Sequence, residues 1–452
     1  MMSENYTVES DGIFELQEIK CEKIGERYFR FKHKSGLRVI VYPKKFSTYY
    51  ASLCVRFGSD DEHVCRINEE KESFSDGIAH FLEHKLFEKS GGGDAFEDFA
   101  ALGGNGNAYT TKDYTSYLFS CTENFNENLE VLLSFVLSPY FTDENVKKEV
   151  GIIAEEIKMY DDNPSSRLYH DMLSCLYKDN PVKKNICGSI ESINKITPKM
   201  LYECYHTFYK HSNMYLVVCG DTTANSVAQT INAVFDAKNK ENEVAEELSS
   251  YEFVKANVSE LPLPYITESK TVMDISIPSV VIAFKCDGTL TAHEKEKRTV
   301  AYNILSDMLF GKSSDFYYKM YCDGLTDGGI YLEYEYGCDF AYSSIALVTK
   351  KPNEAIDSIR KYLEKQRREP IGKREFERIK KTAWAEYIRD FDSTEEIAES
   401  VVSSEAYGLS VFDEVALIDE MNYDYILKII NEDIKEDRMT VSILLPKGES
   451  KC

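Results

Sequence analysis

Two histidines stand four residues apart in Asp76-Gly77-Ile78-Ala79-His80-Phe81-Leu82-Glu83-His84-Lys85-Leu86-Phe87, and a glutamate directly precedes the second. On a helix, positions four apart lie one above the other on the same face. His80 and His84 then aim two imidazoles at one metal ion, with Glu83 beside it. Imidazole pairs fix zinc in hydrolytic sites, where a nearby carboxylate takes a proton from water. The order His-x-x-Glu-His reverses the commoner His-Glu-x-x-His and is a known zinc-site signature. Scattering 8 His and 77 Asp+Glu over 452 residues gives roughly 0.02 such matches by chance. The alternative is a pair of half-buried histidines on an amphipathic helix.

A catalytic zinc needs three protein ligands and an open position. The stretch Glu149-Val150-Gly151-Ile152-Ile153-Ala154-Glu155-Glu156-Ile157 offers the third. Glu149 and Glu156 are seven apart, close to two helical turns, and share one face, whereas Glu155 points about 100° away. Read from spacing alone, the same pair also fits a solvated acidic stripe.

The rest of the chain must position these groups. At 452 residues it exceeds one ordinary core, so two domains are expected. Hydrophobic residues at 43% and charged residues at 29% describe a globular protein. A net charge of −24 argues against binding nucleic acid or an anionic membrane. Met1 to Thr7 shows no basic segment followed by an apolar run, and no stretch is long and apolar enough to span a bilayer. The 12 cysteines include no Cys-x-x-Cys pair, and Cys54, Cys219 and Cys286 sit in strand-like runs. Reduced core thiols and a cytoplasmic location follow as expectations.

Alternating and apolar runs predict strands at 28–33, 37–43, 49–57, 107–111, 115–121 and 214–219. A polar loop over 59–75 leads to the His80 helix, with Ser75 or Asp76 as its N-cap. Helices are predicted over 94–102, 125–137 and 143–159, and from Thr197-Pro198. The charged stretch from Lys238 and the prolines Pro262 and Pro264 read as a linker. Similar elements then return: strands at 280–284, 331–336, 342–349 and 440–445, and helices at 294–309 and from about Asn353 and Arg374. Leu86-Phe87-Glu88-Lys89-Ser90 matches Leu309-Phe310-Gly311-Lys312-Ser313 at an offset of 223, and 141–157 matches 371–387 at 230. Two homologous halves are expected: residues 1–237, a linker 238–265, and 266–452. Asn303, Ser306 and Asp307 fall opposite His80, Glu83 and His84, and Glu386 opposite Glu156. One metal site per chain follows.

His80-Phe81-Leu82-Glu83-His84, Gly104-Asn105-Gly106-Asn107-Ala108-Tyr109-Thr110, Glu149 with Glu155-Glu156-Ile157, and Asp162-Asn163-Pro164 together resemble the pitrilysin family of zinc peptidases, in particular its small bacterial members. That family includes insulin-degrading enzyme and the mitochondrial processing peptidase. The resemblance covers essentially residues 22–446. It implies an α+β fold of two homologous domains, each a mostly antiparallel sheet covered by helices, arranged as half of a clamshell. It further implies His80, His84 and Glu156 as Zn2+ ligands, Glu83 as general base and Glu149 as a carboxylate orienting the site. Asn107, Ala108, Tyr109 and Thr110 would form an edge strand that pairs with a peptide substrate.

One departure stands out. Family members often carry an Arg and a Tyr seven apart around a Gly-Leu, and here Met320 and Asp327 occupy those places. Neither stabilises an oxyanion. The expectation is a zinc endopeptidase that degrades or processes peptides as the zinc subunit of a heterodimer, with a homologous partner supplying the Arg/Tyr pair. A homodimer is the competing assembly, and a catalytically silent structural subunit is the alternative function.

Overall fold

The computed structural model describes residues 2–6, 12–62, 64–66, 74–239, 253–255 and 260–448. In chain order the strands are β1 (Met2–Tyr6), β2 (Ile13–Cys21), β3 (Glu26–His33), β4 (Arg38–Pro43), β5 (Tyr49–Val55), β6 (Val64–Arg66), β7 (Asn105–Thr110), β8 (Thr115–Cys121), β9 (Met214–Gly220), β10 (Phe253–Lys255), β11 (Glu268–Met273), β12 (Ser279–Lys285), β13 (Tyr331–Tyr336), β14 (Ala341–Val348) and β15 (Met439–Pro446). The first five helices are α1 (Ile78–Leu86), α2 (Ala95–Ala101), α3 (Phe125–Val136), α4 (Asp143–Asp161) and α5 (Pro164–Leu176).

An eight-stranded sheet runs β1-β2-β3-β4-β9-β5-β8-β7, and a five-stranded sheet runs β11-β15-β12-β14-β13. Among the described residues only β4–β9 and β11–β15 pair in parallel. The expected α+β class with mostly antiparallel sheets is observed. β9, Met-Tyr-Leu-Val-Val-Cys-Gly, is buried at every position. That continuous apolar run belongs to a central strand with helices on both faces of its sheet. Ala51, Leu53 and Val55 of β5 join the core containing α1 and α3. Alternation turns Tyr50 to the other face, where it meets the helix Thr394–Ala406.

The contiguous division at 237 and 266 is not how the compact units form. The first unit gathers residues 1–157, 185–256 and 388–406, and the second gathers 158–184, 257–387 and 407–452. The cause lies in two helices that were not predicted. α5 buries Leu168, Met172, Leu173 and Leu176 in a core with Val281, Ala283, Phe340, Tyr342 and Leu444, within the second unit. The Thr394–Ala406 helix buries Ile397, Ala398, Val401 and Val402 within the first. Both helices begin and end at the offset of 230, at 164 and 176 against 394 and 406. They are the same element of the repeat, and each belongs to the unit built by the other half. The repeat that sequence matching detected is therefore real in structure but exchanged in space.

Other differences are local. The loop over 59–75 contains a 3₁₀ turn (Ser59–Glu62) and β6. β6 pairs antiparallel with β10, inside the expected linker. Most of residues 238–259 lies outside the described residues. Helices Val411–Glu420 and Tyr423–Glu432, and strands β1, β2 and β11, were also not predicted. The ten described cysteines are all unbridged, as expected. Among the described residues no helix is long and apolar enough to cross a membrane.

The expected linker also contributes an anchor. Glu260 accepts backbone N–H groups of Lys178, Asp179 and Asn180 at 3.1, 2.9 and 2.8 Å, and Lys285 Nζ at 3.2 Å. Burial alone would raise its pKa, but the backbone donors outweigh it and hold the carboxyl at about 2. A depressed folded-state pKa contributes stability above the unfolded value that is lost as pH falls toward the folded one. Glu260→Gln should therefore lower stability at pH 7 by on the order of 2 kcal/mol. Thermal melts of both proteins should converge as pH drops from about 4.3 toward 2. A gap that stays constant across that range would remove the anchoring role.

Candidate metal centre

α1 carries His80, Glu83 and His84. It starts at Gly77, with φ 91° and no side-chain cap, so neither Ser75 nor Asp76 takes the expected capping role. The reason is a close backbone approach. A Cβ on Gly77 would sit 2.5 Å from the carbonyl oxygen of Cys187, and one on Gly188 would sit 2.3 Å from that of Asp76. Ser192 Oγ also donates to the Asp76 carbonyl at 2.7 Å. Glycine is needed at Gly77 both for its left-handed φ and for this contact. The start of α1 is thereby clamped to the 185–192 segment, which fixes where the histidines point.

α4 supplies the opposing wall, burying Val146, Glu149, Ile153 and Ile157. Glu156 Oε1 lies 3.6 Å from His80 Nε2, and Glu156 Oε2 lies 3.5 Å from His84 Nε2. Ligand atoms of His80, His84 and Glu156 all fall within 4.8 Å of one another, and among the described residues no second such group forms. Glu155 is exposed. In the second unit, Ser306 Oγ accepts the Leu332 backbone N–H at 3.2 Å, and the charged neighbour of Asp307 is Arg378.

Glu149 contacts both His84 and Lys85 at the C-terminal end of α1. Its Oε1 is 3.1 Å from His84 Nδ1 and its Oε2 is 3.4 Å from Lys85 Nζ, while Lys85 also pairs with Glu88. Burial disfavours charge on Glu149, but His84 and Lys85 outweigh it and lower the carboxyl pKa. Burial likewise opposes charge on His84, yet the Glu149 hydrogen bond and the surrounding carboxylates raise its pKa. With Nδ1 engaged, His84 directs Nε2 toward Glu156. His80 differs: burial, with neighbouring His84, pushes its pKa down to about 3, so its ring is neutral and its lone pair available. Two imidazole nitrogens and one carboxylate oxygen form the N/O donor set that suits zinc with an open position. The residues fit the metal that the motif implied.

Glu83 is buried at the same turn and accepts Thr110 Oγ1 at 2.6 Å. Burial raises its pKa, which makes it a stronger base. Thr110 ends β7, the edge strand, which pairs only with β8 among the described residues. Asn107 is exposed, and its Oδ1 accepts the Ala108 N–H at 2.9 Å. Tyr109 turns to the opposite face and donates to Glu399. Of the four expected substrate contacts, the side chains of Tyr109 and Thr110 are thus occupied by partners within the protein.

Sequence reasoning missed three neighbours. Lys85 is buried to 1% exposure, and its signal was a lysine on the apolar side of an amphipathic helix. Cys187, with its Sγ 3.9 Å from His80 Nε2, is placed by the glycine contacts and had no local signal. Glu399, from the helix Thr394–Ala406, accepts the Tyr109 hydroxyl and had no local signal. Met320 is buried and Asp327 lies 3.9 Å from Lys350, so neither presents a cation or a phenol.

Comparisons with known proteins point to one family. Residues 43–189 match the family model described as Insulinase (Peptidase family M16), and residues 195–383 match Peptidase M16 inactive domain. A curated relative in Bacillus subtilis (strain 168), named uncharacterized zinc protease YmfH, is 35% identical over 439 residues, covering 96% of this chain and 100% of the relative. A solved structure of a putative M16-like peptidase from Alicyclobacillus acidocaldarius superposes with a TM-score of 0.85 at 32% identity, covering 93% of this chain and 98% of that one. A protease structure from Helicobacter pylori shares the fold, with a TM-score of 0.73 at 21% identity over 93% of this chain and 100% of the other. The chain belongs to peptidase family M16, the pitrilysin family that its motif residues resemble.

Proposed function

We propose that this chain is a zinc-dependent endopeptidase acting on extended peptides. One observation carries the reading: the donor atoms of His80, His84 and Glu156 converge, with Glu83 held beside them by a residue of an open sheet edge. The names of the relatives support the same class. His80, His84 and Glu156 would hold the metal. A zinc ion there supplies Lewis acidity and lowers the pKa of a water to about 7.

The chain's own groups do the rest. Glu83 accepts a proton from the attacking water and returns it to the leaving nitrogen. Thr110 limits which way its carboxylate turns. Glu149 keeps His84 in the tautomer that leaves Nε2 free. A substrate strand adds to the open edge of β7 through main-chain hydrogen bonds. Asn107 and Ala108 are the contact points, Asn107 releasing the Ala108 N–H as the peptide arrives, while Tyr109 and Thr110 contribute through their backbone. Recognition by main chain selects for an extended conformation more than for one side chain.

Met320 and Asp327 motivate the assembly part of the proposal. A homologous subunit supplies the Arg/Tyr pair, giving a heterodimer whose zinc subunit is this chain. The same two residues favour the second reading, a silent structural subunit. Turnover of a quenched peptide library by the purified chain, alone and with a homologous partner, separates them.

Glu83→Gln should retain zinc and lose at least about 100-fold in turnover. Metal content measured beside peptide cleavage checks it, and normal cleavage would rule out the base role. Glu149→Gln should weaken zinc binding about 10- to 100-fold in chelator competition. An unchanged affinity would show that Glu149 does not orient His84.

A further inference from the structure

β7 is tied on both faces. Side chains alternate along a strand, so Thr110 reaches Glu83 on one side and Tyr109 leaves on the other. There the Tyr109 hydroxyl donates to Glu399 Oε2 at 2.5 Å, and the Tyr50 hydroxyl donates to Glu399 Oε1 at 2.6 Å. Tyr50 lies on β5, two strands in from the edge. One carboxylate therefore bridges an interior strand and the edge strand, across β8.

Glu399 comes from the Thr394–Ala406 helix, which is anchored at its C-terminal end. Glu405 of that helix, 2% exposed, pairs with Arg30 at 2.7 Å, Arg56 at 3.3 Å, and Arg38. Tyr215 donates to the Val402 carbonyl at 3.0 Å. A carboxylate facing a sheet loses hydration, and that loss is tolerable only while its oxygens keep their donors. Both phenols keep their protons at neutral pH, because burial and the nearby carboxylate raise their pKa values. The two bonds hold only while β7 keeps its place relative to β5. This edge strand has one ladder; α1, α2 and the Thr110–Glu83 bond hold one of its faces, and Glu399 meets the other.

We propose that Glu399 is a positioning residue for the peptide-binding edge. Through Tyr109 it holds β7 so that the open edge and the Thr110–Glu83 contact face the substrate together. The inference rests on the peptidase reading for its kinetic consequence but not for its structural one. It makes the site of the first unit depend on a residue from the second half of the sequence.

The test uses the full-length zinc-loaded protein with Tyr109→Phe, Glu399→Ala and Glu399→Gln. Tyr215→Phe serves as control, since it removes a hydroxyl contact to the same helix without touching Glu399. Two readouts apply: kcat and KM for an extended quenched peptide, and amide hydrogen exchange across residues 105–110. Tyr109→Phe and Glu399→Ala should raise KM about tenfold. They should alter kcat less, and should speed exchange in β7. Glu399→Gln, which keeps one acceptor and gains a donor for the second phenol, should recover part of both effects. Tyr215→Phe should change stability without changing KM or β7 exchange. Unchanged β7 exchange in Tyr109→Phe overturns the proposal, as does a KM shift no larger than the control's. If the unsubstituted protein cleaves no peptide either alone or with a homologous partner, the peptidase reading fails, and the exchange measurement alone still decides for or against Glu399. If Glu399→Ala does not fold, Tyr109→Phe, which lacks a single hydroxyl, decides.

Discussion

The buried carboxylate of Glu149 is the interaction on which the site depends. It joins α4 to α1, the two helices that supply the metal-ligand candidates, and it does so through an imidazole and an ammonium together. Removing such a group from water is costly unless its oxygens are matched by donors. Here each oxygen has one. The consequence reaches beyond its own pKa: because His84 is held at Nδ1, the nitrogen that remains faces Glu156. The register between the helices and the availability of a donor set are one constraint. Lys85 extends it, since a lysine this deeply buried must keep its acidic partners close.

Most of the site was readable because its residues carry short-range patterns. His80, Glu83 and His84 are one helical turn, and Glu149 and Glu156 are two turns of another, so spacing described each helix separately. That the two helices meet is a tertiary fact, and only family resemblance supplied it. Many strands and several of the long helices of both halves were legible through alternation and apolar runs and through the Thr197-Pro198 start, whereas the order of strands in each sheet was not. The start of α1 was misread because its cap is set by Cys187, more than a hundred residues away, and not by a local side chain. The side-chain partner of Tyr109 was not legible for a related reason: Glu399 lies 290 positions along the chain.

The repeat shows the same limit at larger scale. Matching offsets located the two halves, yet could not report that α5 and the Thr394–Ala406 helix trade places. Each carries an apolar stripe suited to a sheet, and each finds its sheet in the opposite half. Glu405 adds a charged element to one of the two contacts, where three arginines from β3, β4 and the end of β5 surround it. Burial of a carboxylate among several guanidinium groups gives that docking a geometry that apolar packing alone would leave looser.

This exchange has a consequence for synthesis. The eight strands of the first unit's large sheet are complete once residue 220 has left the ribosome, but the helix that covers its second face is made almost two hundred residues later. At roughly 5–20 residues per second, the β5 and β9 surface waits for about nine seconds or more without its cover. Non-local contacts of this kind also slow folding after release. The nascent chain therefore passes through a stage with an uncovered apolar sheet face, and a polypeptide truncated before residue 406 would keep that face exposed permanently.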